Sequence, residues 1–111
     1  MYKRQIYQAP AAIVVCANKT KAWKRPFDGK ITTDIDASIL TDHMMLEATE
    51  LGLGSVWICY FNPDILKEEL NLPENLEPVN ILALGYSDEL DASAERHKDM
   101  RIGMDELVSY L

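Results

Sequence analysis

The chain has 111 residues, which suits one domain with a modest core, and its 48% hydrophobic and 26% charged content is ordinary globular composition, not disorder. A formal net charge of −7 argues against nucleic-acid binding, since an acidic chain repels phosphate along its length. The two cysteines, Cys16 and Cys59, lie in apolar runs without zinc spacing or a disulfide framework, so they read as small buried hydrophobes of a cytoplasmic protein, and no run approaches the roughly 20 apolar residues that span a membrane.

The first residues, MYKRQ, are basic and polar and join an IYQAP segment that reads like the middle of a domain. Residues 1–8 are therefore expected to be non-native or disordered. AAIVVCA, from Ala11 to Ala17, is short, apolar and rich in β-branched residues, and predicts a buried strand. Residues 18–32 form a long polar loop with several lysines and two aromatics, Trp23 and Phe27. A mobile basic loop is the default reading, and a lining for a substrate mouth by Trp23, Lys24 and Arg25 is the functional one. Thr33 and Asp34 offer caps for a helix from Ile35 to Leu51. Its stripe of Ala37, Leu40, Met44, Ala48 and Leu51, widened by Ile39, Met45 and Leu46, predicts a well-buried helix.

Gly52 then supplies the left-handed stop. Ser55 to Phe61 carries no charge and does not alternate, so a strand covered on both faces is expected. Asn62 and Pro63 open a second helix that Pro73 ends. VNILAL, from Val79 to Leu84, predicts a third strand closed by Gly85. Residues 87–100 read as a polar surface loop, and Asp105 to Leu111 as a short last helix or extended tail. Three strands are few for an independent sheet, and an open edge follows. His43 and the Met44–Met45 pair read as packed or interface residues, and Asp36 as a cap or dimer contact. No spacing suggests a metal site or a nucleophile set.

Four stretches resemble the nitroreductase family: APAAIVV, DIDASILTDHMMLEATELGLGSVWICYFN, LNLPENLEPVNILALGYSDE and RHKDMRIGMDELVSY. The resemblance runs from about Ala9 to the end of the chain. It implies an α+β fold with a sheet flanked by helices, residues 1–111 being the C-terminal part of such a domain without its N-terminal part. It implies a homodimer with FMN at the subunit interface. It also implies ping-pong transfer of hydride from NAD(P)H through the flavin to nitro compounds, quinones or similar small acceptors. A truncated, non-catalytic fragment or a flavin-binding scaffold without turnover is the alternative.

The same resemblance assigns the site. The segment matching Trp57, Ile58, Cys59 and Tyr60 lies over one flavin face in the family, with backbone amides near Cys59 and Tyr60 bonded around N5 and O4. Hydride arrives at N5, so a fixed donor there tunes the electron demand of the ring. Cys-Tyr replaces the smaller or acidic residues common in the family, and the Tyr60 ring must point away from the flavin or narrow the substrate pocket. Trp57 and Tyr60 read equally well as core aromatics. Gly54, beside Gly52, lets backbone approach the flavin edge. Arg101 matches the arginine before the last helix and is expected to hold the FMN phosphate, with Lys98 and His97 assisting and Asp99 opposing. No side chain is expected to be catalytic, because the cofactor performs the redox step.

Overall fold

The structure is a computed structural model that describes residues 7–88 and 92–111. The expectation for residues 1–6 lies outside the described residues, as does the part of the predicted polar loop at 89–91. AAIVVCAN forms β1 (Ala11–Asn18), and the chain continues through α1 (Thr33–Glu50), β2 (Gly54–Ile58), α2 (Pro63–Glu69) and β3 (Leu76–Gly85). Two short helices, α3 (Arg96–Met100) and α4 (Met104–Leu107), follow. β3 is central and antiparallel to both neighbours in the order β1-β3-β2, which gives the expected α+β sheet with helices. Among the described residues β1 and β2 each pair on one side only, so both edges are open.

The pleat sends alternate residues of β3 to opposite faces. Ile81 and Ala83 meet Ile58 and Leu66 of α2, with Val14 and Phe61 packed around them. Leu82 and Asn80 face the other way, toward α1. There the Thr41 hydroxyl lies 2.8 Å from the Ala37 carbonyl and 3.1 Å from Asn80 Oδ1. Asn80 and Thr41 are 1% and 0% exposed, so this polar pair stitches α1 to the central strand inside the core. Sequence reasoning missed it, although a lone Asn within the apolar run VNILAL was a visible signal.

β3 is longer than predicted. It begins at Leu76 and takes in Pro78, which has no N–H to give a ladder. The register slips there, with Val15 opposite Asn80 but Cys16 opposite Pro78, so the strand absorbs the proline as a bulge. β2 is shorter and ends at Ile58, leaving Cys59, Tyr60 and Phe61 beyond the sheet. It is an edge strand with Val56 exposed, not a strand covered on both faces.

α1 starts at Thr33 with Thr32 as its N-cap, one residue before the predicted caps, and no side chain caps it. The Thr32 hydroxyl instead donates to Asp36 at 3.0 Å, and Asp34 and Asp36 in the first turn suit the positive end of the helix dipole. The helix closes in a Schellman motif. Leu53 N–H donates to Ala48 O at 2.8 Å and Gly52 N–H to Thr49 O at 3.0 Å, with Gly52 at φ +74°. The expectation of a well-buried helix is corrected: only Ala37, Thr41 and Ala48 are buried, while Ile35, Ile39, Leu40, Leu46 and Leu51 are exposed. Among the described residues no layer covers the outer side of α1.

The segment 18–32 is a hydrogen-bonded hairpin rather than a loose loop. Lys24 and Ile31 form a bridge, Arg25 N–H donates to Lys30 O at 2.8 Å, and the Arg25 guanidinium donates to Asp28. Phe27 stands almost fully exposed at its tip. Part of the predicted loop 87–100 is α3. The radius of gyration is 17.2 Å, against about 13 Å for a compact chain of this length, so the chain is extended for its size.

α2 has a local device whose worth can be measured. The Asn62 side chain accepts from Asp64 N–H at 3.0 Å and Ile65 N–H at 3.3 Å, and Pro63 follows at the first helical position. Asn62→Ala should destabilise the chain by about 1 kcal/mol, seen as a lower urea midpoint with an unchanged slope. An unaltered midpoint would show that α2 is held by Leu66 packing alone.

Candidate functional site

β1 and β2 run parallel to each other, both opposed by β3, so the hairpin at 18–32 and the segment 59–62 leave the sheet at the same end. Ile58 is 7% exposed and anchors that end in the α2-side core. The next residue turns out of the ladder. Cys59 is an exposed free thiol, not the buried hydrophobe predicted, because the strand stops one residue before it. Cys16 is partly buried, and burial pushes its thiol up from the ordinary value, with the Glu77 carboxylate adding to the shift.

Tyr60 is 93% exposed, so its ring points away from the sheet. It borders an open depression of about 540 Å³ with Phe61, Asn62, Pro63 and Asp64. Cys59 accepts from Phe61 N–H at 3.2 Å, which curls the backbone immediately after β2. The N–H groups of Cys59 and Tyr60 themselves donate to nothing among the described residues. Two adjacent free backbone donors at the end of an anchored strand are what the carbonyl and ring nitrogens of a planar heterocycle require. The donor set therefore fits an isoalloxazine edge.

Trp57 lies on the α1 side of the sheet, opposite Leu82. It is partly buried, and its indole N–H is enclosed with no partner among the described residues. That supports the core-aromatic reading of Trp57 over a ring laid directly on the cofactor.

Gly54 is at the far end of β2, four residues and about 13 Å from Ile58. It pairs with Gly85, and a Cβ there would sit 3.4 Å from the Gly85 carbonyl. This close crossing lines a separate cavity of about 490 Å³ with Tyr7, Pro10 and Tyr86. Gly54 thus serves strand pairing, and the structure does not bring it to Cys59 and Tyr60.

Lys98 lies on α3, where it is paired with Glu95, and Arg101 is the residue after that helix. Neither α3 nor α4 contacts the sheet, α1 or α2 among the described residues, and neither has a buried residue. The basic group is therefore separate from the strand end within this chain. Arg101, then desolvation and Arg96, hold the His97 imidazole below its ordinary value, while Glu95 and Asp99 set carboxylates among the same basic residues. Among the described residues no helix is long and apolar enough to cross a membrane, and no cluster of three His, Cys, Asp or Glu could hold a metal.

Comparison with known proteins gives the context. The model of the family described as "Nitroreductase family" matches residues 1–86. A solved nitroreductase family protein of Clostridium difficile strain 630 is 64% identical, with a TM-score of 0.90 over 95% of this chain and 61% of its own. An FMN-dependent nitroreductase of Clostridium difficile R20291 is 32% identical, with a TM-score of 0.65 over 85% of this chain and 57% of its own. A curated Archaeoglobus fulgidus protein, named as an NADH dehydrogenase/NAD(P)H nitroreductase, is 37% identical over 81% of this chain and 52% of its own. The chain spans about half the length of the curated relatives it matches.

Proposed function

Because this chain belongs to the nitroreductase family, we propose that it is part of an FMN-dependent oxidoreductase that takes hydride from NADH or NADPH and delivers it to nitro compounds, quinones or similar small acceptors. The observation that carries the reading is the pair of free N–H donors at Cys59 and Tyr60 behind the anchored Ile58. FMN, when bound, supplies the hydride-accepting and hydride-donating centre. The chain's own contribution is placement. The sheet fixes the strand end, the two amides orient a ring edge, and the outward Tyr60 side chain leaves the backbone approachable while bordering the acceptor's space. Arg101, with Lys98, is proposed to hold the phosphate, reached in the assembled protein rather than within this chain alone. The parent protein is proposed to be a cytoplasmic homodimer, the exposed face of α1 being the apolar surface that needs covering.

The detached basic group and the partial coverage of the relatives favour a second reading, a fragment without turnover. Mixing the chain with FMN separates the two. A yellow complex that survives dialysis and bleaches with NADH or NADPH supports the oxidoreductase; a colourless protein supports the fragment. Arg101→Ala should weaken FMN binding by about 1.5–3 kcal/mol, roughly 10- to 150-fold, the worth of a hydrogen bond to a charged group. Unchanged affinity by flavin-fluorescence titration would remove Arg101 from the site.

A further inference from the structure

Two buried side-chain nitrogens have no hydrogen-bond partner among the described residues, Trp57 Nε1 and Asn80 Nδ2. They are not scattered. Trp57 is opposite Leu82, and Asn80 is two residues before Leu82 on the same face of β3, so the two side chains are diagonal neighbours beneath α1. A diagonal of this kind is within reach of an aromatic side chain. Beside them, the Thr41 hydroxyl has two acceptors, Ala37 O at 2.8 Å and Asn80 Oδ1 at 3.1 Å, but only one proton to give.

One rotation of the Asn80 amide by 180° accounts for all of this. It fills the same volume with oxygen and nitrogen exchanged. Nδ2–H then faces Thr41 Oγ1 as a donor, the Thr41 proton goes wholly to Ala37 O, and Oδ1 turns to the side where Nδ2 was orphaned. We infer that Thr41, Asn80 and Trp57 form a single hydrogen-bonded relay from α1 through the central strand to β2, with Trp57 Nε1–H donating to Asn80 Oδ1. The relay ends one residue before Ile58 and two before Cys59. Its role is to hold the tip of β2, and with it the free amides of Cys59 and Tyr60, against α1. Trp57, Asn80 and Thr41 are positioning residues in this scheme, and their importance to chemistry rests on the flavin reading given above.

The relay has a spectroscopic signature that needs no cofactor. In the isotopically labelled chain the two indole N–H signals belong to Trp23 and Trp57 and are assigned by Trp57→Phe. Asn80→Leu should move the Trp57 indole signal toward that of a free indole and leave Trp23 in place. Thr41→Val should move it too, and shift the Cys59 and Tyr60 amide signals, although Thr41 is on another element. Thr41→Ser, which keeps the hydroxyl, should restore all three. A Trp57 signal indifferent to both Asn80→Leu and Thr41→Val in folded protein overturns the relay. Should Asn80→Leu not fold, the unaltered chain decides: through-space contacts from the Asn80 amide protons to the Thr41 methyl support the inference, and contacts from them to the Trp57 indole proton without any to Thr41 overturn it. If these signals behave as expected while the chain binds no FMN, the relay stands and the flavin reading falls.

Discussion

Leu82→Ala is expected to lower the stability of the chain by about 2–5 kcal/mol, a large share of the roughly 5–15 kcal/mol that holds a domain together. Leu82 is 0% exposed, in the middle of the central strand β3, flanked by Ile13 and Trp57 in the ladder and covered by α1. Truncating it removes contacts on a face where nothing can close in, because the backbone ladder on both sides fixes the spacing. Leu46→Ala is the matched control. Leu46 is on the same helix that covers Leu82, but it is 63% exposed and points outward, so its loss should fall within about 0.5 kcal/mol for the chain alone. Chemical denaturation reads both. Equal effects from the two variants would mean that α1 does not pack on β3 as described.

That contrast also shows what the sequence made legible. The helical period over 35–51 was plain, and so were the stop at Gly52, the Asn62–Pro63 start and the apolar cores of all three strands. What the pattern could not give was which stripe of α1 meets the sheet. Small residues win the inner side: Ala37 and Ala48 let the helix approach closely, and Thr41 adds a hydrogen bond to Asn80. β2 was legible as an uncharged run after a glycine turn. Its exact stop at Ile58 was not, because WICYF has no breaker before Asn62. The residues proposed to hold the phosphate were suggested by family resemblance alone. Arg101 and Lys98 stand in a tail with no buried residue, and nothing in local propensity says where such a tail docks. Asn80 was missed because a single polar residue in an apolar run can be read as a break in the pattern, while here it is the pattern's crosslink.

The double variant Ile39→Asp, Leu46→Asp should abolish the self-association proposed for α1. Ile35, Ile39 and Leu46 repeat the spacing of the buried Ala37, Thr41 and Ala48, displaced by two residues. At 100° per residue, two residues are about 200°, so the helix carries a second, largely apolar stripe, with the exposed Asp42 set within it, nearly opposite the one that faces the sheet. A helix apolar on two opposite sides is built to be covered on both. Burying an Ile or Leu at a contact is worth about 1.5–3 kcal/mol. In a dimer of identical chains the double variant removes four such side chains, two from each copy, and so loosens association by about 6–12 kcal/mol, roughly 10⁴- to 10⁹-fold in Kd, before any cost of burying the new carboxylates. Sedimentation over a dilution series should show the unaltered chain passing from dimer to monomer with concentration and the variant remaining monomeric throughout. Because neither side chain is in the sheet-facing core, far-UV dichroism of the two monomers should match. If the variant associates as strongly as the original, the outer stripe is not the contact between copies. If the original is monomeric at every concentration, what covers α1 is not a second copy, and the open strand edges are the next surfaces to test.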